Sequence, residues 1–80
     1  MNYFVWYEPD VQLTVIEKIS GALDAYRNRF NIVPNLVLVN AANMAEVSGV
    51  EVRSVGTVQP NHFWVGHIDE RGADNAAAEG

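Results

Sequence analysis

The 80-residue chain predicts a two-layer α+β fold: one long amphipathic helix packed on a small mixed sheet of three to four strands, with a short second helix. Three observations predict it. An apolar stripe at helical spacing runs from Leu13 to Phe30. Four short runs rich in Val, Leu and aromatics are separated by Pro, Gly and Asn. Their order is strand, long helix, strand, short helix, strand, strand.

Met1–Tyr7 carries Tyr3, Phe4, Val5, Trp6 and Tyr7, side chains that fit a pleated, half-buried surface. Glu8-Pro9-Asp10 breaks it, because Pro9 has no N–H for a ladder. Leu13, Ile16, Ile19, Leu23, Tyr26 and Phe30 then recur at intervals of three and four, one face of an α-helix. Two starts compete: Asp10 as a direct cap, and the capping box Thr14-Val15-Ile16-Glu17. The longer helix from Asp10 is favoured. Gly21 inside it costs about 1 kcal/mol relative to Ala, which a close helix-to-sheet approach would justify. Asn31 can take the left-handed cap, and Pro34 forbids continuation.

Leu36–Val39 is apolar without alternation, so both of its faces should be covered. Asn40 caps the expected short helix over Ala41–Val47, which Gly49 closes. Val50–Arg53 alternates as a half-exposed strand does. Ser54–Asn61 reads as a loop and His62–Ile68, HFWVGHI, as the last strand. The short connection between the last two strands predicts an antiparallel hairpin. Residues 1–68 are read as a single domain. Residues 69–80, acidic and rich in Ala and Gly, are read as a disordered tail.

Composition narrows the function. The apolar share of 49% supports a folded core, and the absence of cysteine removes disulfides and thiolate zinc sites. A chain this short has little core of its own and gains from a partner. No run reaches membrane length, and the N-terminus lacks a basic region and a cleavage site, so a cytoplasmic protein is expected, with no membrane role. Of the net charge of −5, the segment from Asp69 onward carries −3. With no clustered Lys and Arg, no nucleic-acid partner is expected.

The chemistry-bearing residues are few. His62 and His67 are five apart, hence on opposite faces of a regular strand, and cannot share a metal ion. Ser20, Ser48 and Ser54 lie in no nucleophile-elbow pattern, and no phosphate-binding glycine loop or H-E-x-x-H occurs. No catalytic residue, metal ligand set or cofactor is nominated, and the reading leans away from an enzyme. Tyr26–Phe30, Pro34–Val39 and the closing HFWVG resemble the skeleton of many small bacterial α/β proteins, a resemblance that implies no particular activity.

The strands are apolar on both faces, yet one long helix covers only one. The surplus predicts a protein-interaction module that associates with itself as a homodimer, through the open sheet face or an edge, with another protein as a further candidate partner. Trp64, Trp6, Phe63, Tyr3 and His62 are the candidate contact residues. The alternative is a small-ligand binding protein, its pocket walled by Trp64, Trp6 and nearby tyrosines and rimmed by a histidine.

Overall fold

In the computed structural model, which describes residues 3–68, the helix layer lies on one face of a four-stranded sheet. The elements are β1 (Phe4–Tyr7), α1 (Val15–Phe30), β2 (Leu36–Val39), a 3-10 turn (Ala41–Asn43), β3 (Glu51–Ser54) and β4 (His62–Gly66). The expected tail over 69–80 lies outside the described residues.

The helix begins at the capping box, not at Asp10. The Glu17 N–H donates to Thr14 Oγ1 at 3.1 Å and the Thr14 N–H to Glu17 Oε1 at 2.8 Å. Two orphan donors are satisfied reciprocally, which a single cap cannot do. Asp10 instead closes its own turn, its Oδ1 accepting from the Gln12 N–H at 2.9 Å. At the other end Asn31 takes the left-handed conformation, φ 57°, and its N–H donates to Arg27 O at 2.8 Å.

The sheet order is β1-β4-β2-β3. The expected hairpin between the last two strands does not form. β4 inserts between β1 and β2, antiparallel to both, and β3 pairs with β2 in parallel. Both strands flanking β4 therefore run the same way, and α1 is the crossover between them. The loop after β3 passes over the end of β2 before β4 starts, so a short connection leads to a strand two positions away.

The expected helix over Ala41–Val47 is a single 3-10 turn. Asn40 does cap it, Oδ1 accepting from the Ala42 N–H at 2.9 Å. Beyond Asn43 the chain extends, Met44 turns to solvent, and Val47 bridges to Val50 around Gly49, whose φ is +82°. The segment carries too few large apolar side chains to hold a longer helix against the sheet.

Ile19, Ala22 and Tyr26 of α1 pack on Val37, Val39, Phe63 and Val65 to form the core. Phe4, Trp6, Leu23, Ala45, Val47 and Val52 border it. Period-2 alternation then assigns the faces. Phe4, Trp6, Val37, Val39, Val52, Phe63 and Val65 meet the helix. Val5, Tyr7, Leu36, Leu38, Glu51, Arg53, His62, Trp64 and Gly66 lie on the opposite face. The segment after the 3-10 turn also packs on the helix side and adds no cover to the other.

Gly21 is not a point of close approach, since a Cβ built there meets no atom within 4 Å. Gly21→Ala is therefore expected to stabilise the fold by about 1 kcal/mol, read as a higher urea midpoint at unchanged m-value. Thr14→Ala is expected to cost about 1 kcal/mol and Asp10→Ala clearly less. Equal losses would place the helix start upstream.

Candidate functional site

The five candidate contact residues divide between the two faces. Phe63 is fully buried beneath α1. Trp6 is half-buried on the same face, stacked on Phe4 with ring centroids 6.1 Å apart. Trp64, Tyr3 and His62 are half-buried on the other face. Trp6 and Trp64 thus stand on opposite sides of the sheet and cannot wall one pocket. The alternation was visible in sequence, but the choice of face depends on the strand order, which was not.

On the open face Tyr3 packs on Trp64, centroids 5.9 Å apart. Tyr7 packs on His62 at 4.6 Å with the planes inclined by 32°. Tyr7 and His62 are register partners, and the backbone bond from the Glu8 N–H to Asn61 O, 2.9 Å, makes the adjacent pair the hydrogen-bonded one. Tyr7 and His62 therefore form a non-hydrogen-bonded pair, the kind whose side chains approach more closely. The His62 Nδ1–H donates to Pro60 O at 3.0 Å, which fixes the ring beside the tyrosine.

Exposure is graded across this face. Leu36 is buried, Leu38 and Trp64 are half-buried, and on β1 Val5 and Tyr7 expose 50% and 58% of their surface. The β3 side is charged instead. Glu51 and Arg53 pair with each other, and the hydrogen bond from the guanidinium holds the Glu51 carboxyl below its ordinary value. That pair is fully solvated, so it marks the edge without stabilising the fold appreciably. Apolar surface is thus concentrated at one edge of the sheet and charge at the other.

A second cluster lies at the end of the sheet where β4 begins. Lys18 is 7% exposed, and its Nζ donates to Asn61 Oδ1 at 2.9 Å. The Asn61 N–H donates to Asn43 Oδ1 at 2.8 Å, and Asn61 holds φ 64°. Sequence reasoning missed this group, because nothing local marks Lys18 as inward-facing. Its partners are amides from two loops, which satisfy polar groups and supply no base or nucleophile. The reading is structural.

His67 lies past the end of β4, its Nδ1–H donating to Val33 O at 3.0 Å, at the opposite end of the strand from His62. Among the described residues no three His, Asp or Glu side chains gather to hold a metal ion. No hydrogen bond there joins a serine or threonine hydroxyl to a histidine. Two hollows, of about 570 and 290 Å³, flank the segment from Met44 to Val50 on the helix side. None of the five candidate residues lines them. Among the described residues no helix is long and apolar enough to cross a membrane. No family model, curated protein or solved structure matches the chain.

Removing one member of the polar cluster should depend on which member is taken. Asn61→Ala leaves a buried ammonium without its acceptor and is expected to cost about 1–3 kcal/mol. Lys18→Met removes the charge and keeps the bulk, and is expected to be close to neutral. Denaturant unfolding of the two variants checks this, and a larger loss for Lys18→Met would contradict the structural reading.

Proposed function

We propose that this chain is a non-enzymatic protein-interaction module that associates with itself as a homodimer through its sheet. One observation carries the reading: the two exposed large hydrophobic side chains of the sheet, Val5 and Tyr7, sit together on β1 beside Tyr3, His62 and Trp64. Contiguous apolar surface of this kind is uncommon on a monomer unless something docks there. Aromatic side chains are the ones enriched at interface centres.

The occupant is a second copy. The acidic, Ala- and Gly-rich stretch from Asp69 to Gly80 contains no Val, Leu, Ile, Met or aromatic residue and offers little apolar area to bury against that surface. A chain of this length without disulfides gains the stability it lacks by burying that surface against itself, and two-fold dimers are the commonest assemblies.

Light scattering on a size-exclusion column, over a hundredfold range of concentration, checks the reading. A molar mass of twice the chain, falling toward one chain only on dilution, is the expected outcome. A single-chain mass throughout overturns it.

A further inference from the structure

We infer that the dimer forms by antiparallel pairing of β1 with β1 of the second copy, about a two-fold axis midway between the two Val5 residues, joining the two sheets into one of eight strands. The inference rests on the self-association reading and specifies its geometry.

The backbone supplies the first argument. β1 lies at the edge of the sheet, and its pairing with β4 runs Phe4 to Val65, Val5 to Trp64, Trp6 to Phe63 and Tyr7 to His62. The next pair, Glu8 with Asn61, is hydrogen-bonded, the Glu8 N–H donating to Asn61 O. Antiparallel ladders alternate, so Phe4 and Trp6 also bond toward β4. The N–H and C=O groups of Val5 and Tyr7 then point away from it, toward the open edge. The same alternation continues to Tyr3.

The side chains supply the second. Tyr3-Phe4-Val5-Trp6-Tyr7 is a near-palindrome: tyrosine, aromatic, valine, aromatic, tyrosine. Pairing centred on Val5 puts Val5 opposite Val5, Tyr3 opposite Tyr7 and Phe4 opposite Trp6. Each pair joins residues of the same face, as antiparallel strands require. The outward-bonding residues Tyr3, Val5 and Tyr7 become the hydrogen-bonded pairs. Self-complementarity of this kind is what a two-fold contact demands, and it favours a second copy over an unrelated strand.

The third argument is the contrast between the edges. β3 carries the exposed Glu51–Arg53 pair, a common guard against strand addition. β1 has no charge, proline or bulge within it. On its helix side Phe30, 44% exposed, stands edge-on to Phe4 at 5.8 Å, so apolar surface lies on both sides of this edge. An axis perpendicular to the sheet keeps both helices on one side and merges the two aromatic faces on the other.

Three variants at one position test this. Val5→Pro deletes an outward N–H and spares the bonds of Phe4 and Trp6 to β4. Val5→Lys sets two ammonium groups against each other at the axis. Both are expected to run as single chains at every concentration, with wild-type far-UV circular dichroism. Val5→Cys introduces the only cysteine in the chain. Across a hydrogen-bonded pair the Cα atoms stand about 5.5 Å apart, within disulfide reach. It is expected to form a covalent dimer on mild oxidation, while Glu51→Cys on the other edge does not. A wild-type dimer that persists in folded Val5→Pro and Val5→Lys, with Val5→Cys uncrosslinked, overturns the edge pairing and leaves self-association standing. A wild-type chain that is monomeric throughout overturns both.

Discussion

The placement of β4 between β1 and β2 is the constraint on which the rest of the structure depends. Among the described residues β1 has no other strand beside it, so its backbone groups are paired on one side by β4. The four residues of β1 and the five of β4 lie nearly sixty positions apart in the chain. The sheet is complete only once this long-range pair has closed, and loop closure over such a distance must be offset by burial. Phe63 and Val65 supply that burial on one side, wholly enclosed under α1. Trp64 and the buried Gly66 face the other side. β4 is thus a central strand whose Phe63 and Val65 fill the core while His62 and Trp64 lie half-buried on the open face.

β4 must also enter the sheet at the right place, and the polar cluster at its start serves that end. Asn61 turns the chain with a left-handed backbone while its N–H, C=O and side-chain oxygen are each engaged, by Asn43, Glu8 and Lys18. One residue therefore ties the loop before β4 to the 3-10 turn, to the end of β1 and to the helix. Lys18 sits one turn from the helix N-terminus, where a cation is unfavourable. Burying it there without an acceptor would be costly. The arrangement is held by geometry: the acceptor exists only when α1 and the β4 entry are both in place. At the far end Asn35 closes the sheet similarly, exchanging hydrogen bonds of 2.8 and 2.9 Å with the backbone of Ile68.

What could be read from the sequence follows from how local each signal is. The helix and its Asn31 cap depend on neighbours within a few residues and appear as expected. The stripe is buried only in part: Ile19 and Tyr26 are enclosed, Leu13 precedes the helix, and Ile16 and Phe30 are exposed. In β2, Leu36, Val37 and Val39 are buried and Leu38 is half-buried. The helix starts after Thr14 and not at Asp10 because the capping box satisfies two backbone donors reciprocally. The expected hairpin is absent because a short loop does not by itself set adjacency, and β2 offers β4 a fully apolar partner. The candidate contact residues were grouped by their chemistry. Alternation separates Trp64 from Phe63 in β4 and Trp6 from Val5 in β1, but only the β1–β4 register puts Trp6 with Phe63 and Trp64 with Val5 on opposite faces. Nothing near Lys18 in sequence marks it as buried, since its acceptor lies 43 residues away.

The strand order also decides where surplus apolar surface can go. With β4 in the centre, β1 becomes an edge, and the most aromatic run of the chain is left with one side of its backbone unpaired. Had the last two strands formed a hairpin, β1 could have lain inside the sheet and its aromatics would have needed no further partner. The choice that completes the monomer core therefore creates the unguarded edge. A natural sheet blunts such an edge when it is meant to stay free, as β3 does with its charge pair. On β1 the near-palindrome stands where a guard would otherwise be. Under the proposed pairing, the burial that completes the β1 edge comes from a second chain, so folding stability and assembly become linked by mass action. A small chain with no covalent staple thereby gains from its own concentration what it lacks in core volume.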